Sequence, residues 1–167
     1  MPRYMLDADT VSYALRGHGR VGTRLLEHQP SEVCISAITL AELNFGAEAK
    51  RSQKIRRAIR RFTHDIAVVP FDEVSADRFA VVAAALATRG RPIGLYDTLV
   101  AAQALALGLT VVTNNTRHFS RVPGLAVENW VYECLGNAAE RAAAAKALCG
   151  VLAGDATIDC KQFACRQ

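Results

Sequence analysis

The sequence predicts an α/β fold with a central, mainly parallel sheet of four to five strands flanked by helices. Short apolar runs of strand character recur at residues 4–6, 33–36, 66–70, 109–113 and 125–128, and the stretches between them carry helical periodicity. Strand and helix patterns alternate along the chain, the order that lays parallel strands side by side. At 167 residues, 51% hydrophobic and 22% charged, the chain suits one ordinary globular domain that buries a core without disulfides or a structural metal.

Tyr4-Met5-Leu6 reads as a first strand leading into Asp7-Ala8-Asp9-Thr10. Side chains alternate along a strand, so Asp7 and Asp9 share a face if the extended geometry persists. The competing expectation is that Asp9 or Thr10 caps the helix suggested by Val11, Tyr13, Ala14 and Leu15. A second helix is expected from Gly22 to His28, stopped by Pro30. Val33–Ser36 is a brief strand, and the following run ITLAELNFGAEAK fits a helix started near Ser36 or Thr39. Glu42 lies one turn into that helix among Leu40, Ala41, Leu43 and Phe45, and a carboxylate in apolar company needs a partner to be buried. The helix pattern continues through a basic stretch toward His64. Residues 66–70 form the third strand, closed by Pro70, and residues 71–89 form an amphipathic helix with Asp72 and Glu73 at its start and Gly90 beyond its end.

The stretch 92–119, PIGLYDTLVAAQALALGLTVVTNNTRHF, is the most informative. Asp97 heads an apolar-periodic run closed by Gly108, which puts the carboxylate at a helix N-terminus. Residues 109–113 read as a buried strand with Asn114 and Asn115 at its exit. Residues 125–128 give a last strand before Asn129 and Trp130. Beyond Trp130 the pattern changes: residues 137–152 are alanine-rich and read as one helix, and residues 155–167 have little periodicity and read as disordered. The expected division is therefore a domain over residues 1–130 and an extension over 131–167.

A net charge of +4 permits a polyanionic partner without demanding one. The distribution says more, because residues 50–61, KRSQKIRRAIRR, hold seven Lys or Arg and no acid. Arg56, Arg57, Arg60 and Arg61 are candidate phosphate contacts, although a solvated helix face gives the same pattern. The five cysteines show no zinc spacing. The start MPRYMLDADT carries carboxylates in place of a long apolar run, and no apolar stretch approaches about 18 residues, so a cytoplasmic location is expected.

Asp7, Glu42, Asp97 and Asn115 all fall near the carboxyl edge of a parallel sheet, where residues distant in sequence meet. Three converging carboxylates repel one another, and a hard divalent cation removes that cost. Mg²⁺ or Mn²⁺ fits an oxygen-only site that keeps several waters. Such an ion activates water and stabilises a leaving oxygen, which is the chemistry of phosphodiester hydrolysis.

The runs MLDADTVSYALRG, SAITLAELNFGA and PIGLYDTLVAAQALALGLTVVTNNTRHFSRVPGLAVENW, in that order, resemble a PIN domain of the VapC toxin type over about residues 3–130. The resemblance implies a PIN-like three-layer sandwich and a Mg²⁺- or Mn²⁺-dependent endoribonuclease. It further implies a homodimer, held inactive by a cognate VapB-type antitoxin. It places the family's acids on Asp7, Glu42 and Asp97 and its fourth position, often an acid, on Asn115. A residue often Glu shortly after is His118 here. With Asn115 neutral, Asp9 is a candidate to supply the fourth charge.

Two other readings stand beside this one. Asp7-x-Asp9 resembles the nucleophile and acid of a haloacid-dehalogenase-type phosphatase, and Gly154-Asp155-x-x-x-Asp159 mimics its metal motif. The context is against it, since Gly154 follows an alanine-rich helix and no lysine lies between Lys54 and Lys146. A catalytically silent RNA-binding PIN module is expected to have lost one of Asp7, Glu42 and Asp97, and none is lost.

Overall fold

The computed structural model describes residues 1–131. In chain order these form β1 (Tyr4–Leu6), α1 (Ala8–Arg16), α2 (Val21–Leu26), β2 (Val33–Ser36), α3 (Ala37–Ala49), α4 (Gln53–Asp65) and β3 (Ala67–Val69). They continue as α5 (Glu73–Thr88), α6 (Leu95–Leu107), β4 (Thr110–Val112), α7 (Thr116–Phe119) and β5 (Val127–Glu128), with a 3₁₀ turn over Pro30–Glu32. The helix expected over 137–152 and the disorder expected over 155–167 lie outside the described residues.

The five strands lie in the order β3-β2-β1-β4-β5, and every neighbouring pair is parallel. β1 is central, its three residues paired with Val33, Cys34 and Ile35 on one side and with Thr110, Val111 and Val112 on the other. Successive strand residues face opposite layers. Tyr4, Leu6, Val33, Ile35 and Val112 join Val11, Leu43, Ile59 and Phe62 from α1, α3 and α4 in one core. Met5, Cys34 and Val111 join Val82, Leu86, Val100, Ala101 and Phe119 from α5, α6 and α7 in the other. Burial on both faces explains why the three central strands, β2, β1 and β4, read as continuous apolar runs. The three-layer sandwich expected from the sequence is the fold observed.

Several local expectations change. Asp7, not Asp9 or Thr10, caps α1: its backbone is extended and its carboxylate accepts from the Ala8 amide. The strand has ended at Leu6, so Asp7 and Asp9 do not share a strand face; Asp9 is exposed in the first turn of α1. Asp97 does stand at a helix N-terminus as expected, as the third residue of α6, with Gly94 as the cap. The basic stretch does not continue the preceding helix. α3 stops at Ala49, Arg51 takes a left-handed conformation (φ 48°), and Ser52 caps a new helix, α4. The short α7 went unnoticed in the sequence.

Near the end of the described chain, Gly19 (φ +64°) packs so closely on Val131 that a Cβ there would lie 2.7 Å from the Val131 carbonyl oxygen. Trp130 is buried edge-on against Tyr4, and its indole N–H donates to Glu128. No described helix is long and apolar enough to cross a membrane.

Candidate active site

β1 sends the chain toward β2 and β3 on one side, while β4 lies on its other side. The gap between the carboxyl ends of β1 and β4 is therefore the point where the strand order reverses, the usual crevice for ligands in such sheets. Asp7 leaves β1 at this gap and Thr113 leaves β4. The Thr113 hydroxyl donates to Asp7 Oδ2 at 2.9 Å, while Asp7 Oδ1 accepts from Ala8 N at 2.6 Å. Thr113 Oγ1 also accepts from the Asn115 amide at 2.9 Å. Thr10, one turn into α1, donates to Val112 O at 2.9 Å and closes the same seam from below.

Asp7 is almost fully buried. Burial pushes its carboxyl up from 3.8 to about 6; the hydrogen bonds from Thr113 and Ala8 resist the rise, and the charges of Asp9 and Asp97 add to it. Glu42 is half-buried on the second turn of α3. Burial pushes it up from 4.5 to about 7, helped by the charges of Asp7, Asp97 and Asp9. Four carboxylates from three helices and a strand end thus share one electrostatic field. Asp7, Glu42 and Asp97, expected from the sequence to lie at one edge of the sheet, are near enough to feel one another's charge. Among the described residues, however, no three Asp, Glu, His or Cys side chains stand close enough to enclose a metal ion as they are. Their chemistry nonetheless fits a hard cation, because each raised carboxyl is one whose ionised form lacks a compensating positive charge.

Asp97 stands across from α7, where His118 Nδ1 lies 3.1 Å from its Oδ2. Asn115 caps α7 without using its side chain, so its amide is not committed to the helix. Asn114 has turned toward α1 and the last strand: it bonds Tyr13 at 3.4 Å and accepts from Asn129 at 3.3 Å. Thr113 was missed in the sequence, and so was the contact His118 makes. A hydroxyl immediately after a buried strand, next to an acid after the neighbouring strand, was the available signal for Thr113.

The four arginines of α4 do not form one open patch. Arg56 is paired with Glu48 of α3, Arg57 and Arg60 are exposed, and Arg61 is partly covered. Between α3 and α4 runs a groove of about 400 Å³, with Leu40 and Ile59 in its lining and Glu48, Arg56 and Arg60 among its charged residues.

Comparison with known proteins shows the family to which this fold belongs. The PIN domain family matches residues 4–125. The chain belongs to the PIN-domain family. It is 35% identical over 131 residues to the tRNA(fMet)-specific endonuclease VapC of Salmonella typhimurium, a match covering 78% of this chain and 99% of the relative. It is 33% identical over 132 residues to ribonuclease VapC2 of Haemophilus influenzae, covering 78% and 100%. Among solved structures, the DNA-bound VapBC of S. typhimurium superposes with a TM-score of 0.71 at 35% identity, covering 78% of this chain and 99% of that one. VapBC2 of Rickettsia felis bound to a promoter DNA fragment gives 0.70 at 31%, covering 76% and 98%. PIN membership replaces the phosphatase reading, whose second motif, at Asp155 and Asp159, lies outside the described residues.

Proposed function

We propose that this PIN domain is a VapC-type endoribonuclease toxin that hydrolyses RNA phosphodiester bonds with Mg²⁺ or Mn²⁺ and is restrained by a VapB-type antitoxin. The observation that carries the reading is the field shared by Asp7, Glu42 and Asp97 at the strand-order reversal, in which burial and mutual repulsion raise Asp7 and Glu42 together. The relatives named ribonuclease and endonuclease VapC, and the VapBC complexes, support it. In this reading Asp7, Glu42 and Asp97 hold the ion, Asn115 offers it a neutral carbonyl oxygen, and Asp9 adds charge from the rim. When bound, the ion supplies Lewis-acid activation of water and charge neutralisation at the leaving oxygen. Thr113 keeps Asp7 oriented, and Glu42, which has no hydrogen-bond partner among the described residues, is free to meet the ion or a water. Exposed Arg57 and Arg60 gather the RNA backbone. The α3–α4 groove, with its apolar floor and mixed-charge rim, is the surface offered to the antitoxin.

The test is incubation of purified protein with tRNA and messenger RNA, with Mg²⁺, with Mn²⁺ or with chelator, and mapping of the cut ends. Cleavage at discrete positions is expected, lost with chelator and in Asp97→Asn. Cleavage by Asp97→Asn at the parental rate overturns the site assignment. Co-expression of the neighbouring reading frame should suppress the cleavage.

A further inference from the structure

The segment leaving β4 grips two carboxylates that come from elsewhere in the chain. Thr113 holds Asp7, and five residues later His118 meets Asp97. Backbone bonds make this segment one short rigid piece: Asn115 N binds Thr113 Oγ1, and the amides of His118 and Phe119 bind Asn115 O. Phe119 is fully buried in the second core and anchors the piece to the sheet.

Among the described residues, His118 is the one hydrogen-bond partner of the Asp97 carboxylate. An ionised carboxylate only accepts, so Nδ1 is the donor in this contact. Asp97 Oδ2 is thereby engaged and Oδ1 is left without a hydrogen bond. Nearby, Gly94 leaves room beside the carboxylate: a Cβ there would lie 3.6 Å from Oδ2. An ionised Glu at position 118 would have no proton to give and would add a fifth carboxylate to the four that already share the field.

We propose that His118 is a positioning residue, one that fixes the Asp97 carboxylate for the cation by donating Nδ1–H to Oδ2. The inference rests on the cation site proposed above. Groups that orient a metal-binding side chain typically change affinity by about 10- to 100-fold when removed. His118 therefore sets how tightly this chain holds its ion, by a contact that an acid at 118 does not make.

The experiment measures Mn²⁺ binding by electron paramagnetic resonance, without RNA, on the full chain and on Asp97→Asn, His118→Ala, His118→Asn and His118→Gln. An Asn side chain places its N–H₂ near where Nδ1 stood, whereas Gln reaches toward the Nε2 position. Asp97→Asn is expected to abolish binding and His118→Ala to weaken it about tenfold. His118→Asn should restore binding to within about threefold, with His118→Gln remaining weak. Unweakened binding by His118→Ala, with loss in Asp97→Asn, overturns the role of His118 and leaves the cation site standing. Rescue by Gln and not by Asn also overturns it, because the contact through Nδ1 would then not be the one that matters. No binding by the parent chain, or full binding by Asp97→Asn, overturns the cation site and this inference with it.

Discussion

The Thr113 hydroxyl and the Asp7 carboxylate, 106 residues apart in sequence, meet at 2.9 Å across the seam between the two central strands. Thr113 is fully buried and serves twice, donating to Asp7 and accepting from the Asn115 amide. Thr113→Val keeps the shape and removes both bonds, leaving a buried carboxylate oxygen and a part-buried N–H unsatisfied. It should cost about 1–3 kcal/mol in urea unfolding, with Thr113→Ser close to the parent. A Val variant as stable as the parent would show that the seam does not depend on this hydroxyl.

Asp7→Asn is expected to stabilise the metal-free protein at neutral pH while abolishing cleavage, since Asn also caps a helix and sheds a charge that the site leaves uncompensated. The folded-state pKa of Asp7 lies above its ordinary 3.8, at about 6. The folded state thus holds the proton more tightly than the unfolded chain, and ionisation costs stability as pH rises from about 4 through about 6. At about 1.4 kcal/mol per pH unit the full cost approaches about 3 kcal/mol. The stability difference between variant and parent should be small below about pH 4, open between about pH 4 and about pH 6, and level off by about pH 7.5. A difference that stays constant with pH removes the electrostatic account.

Saturating Mg²⁺ should close that gap at pH 7.5 by stabilising the parent and not Asp7→Asn, because binding to the folded state alone adds stability with ligand concentration. Thermal unfolding with and without Mg²⁺ measures it. Equal shifts in parent and variant would place the ion elsewhere.

Asp9→Asn tests whether the exposed rim acid matters to the ion. Asp7 is the cap, so any effect beyond the few tenths to about 1 kcal/mol of a first-turn acid is electrostatic. The Mg²⁺ midpoint for RNA cleavage should rise about fivefold, equivalent to about 1 kcal/mol of lost attraction, and return when Asn115→Asp is added. An unmoved midpoint leaves Asp9 as a helix-end charge only.

Arg57→Gln with Arg60→Gln should weaken RNA binding and lower the slope of log affinity against log salt by about 1.5, with cut positions unchanged. Unchanged slopes return α4 to a solvated face.

The parallel sheet was legible because strands buried on both faces leave unbroken apolar runs, as in Val33–Ser36. Asp7 was legible as an acid at the end of a strand, and Asp97 as one at the start of a helix. Their local roles were not. Gly94 caps α6 with its backbone alone, leaving no side-chain signal, and Asp7 combines the cap that was assigned to Asp9 or Thr10 with a place in the site. α7 escaped notice because four residues carry no periodicity. The pairing of Arg56 with Glu48 depends on the left-handed turn at Arg51, a conformation that sequence rarely announces outside glycine. Thr113 and His118 act through tertiary contacts, which no local pattern reports.

The close approach of Gly19 to Val131 decides where this domain can be cut. The turn at Gly19 has no room for a side chain because the Val131 backbone fills it, and the Val131 amide is in turn held by Asn129, the residue that donates to Asn114 beside the site. A stop codon placed after residue 129 would therefore remove Trp130, empty the bed under Gly19, and take away the Val131 amide that Asn129 accepts from while Asn129 braces Asn114. Placed after residue 131, it would keep the whole clasp.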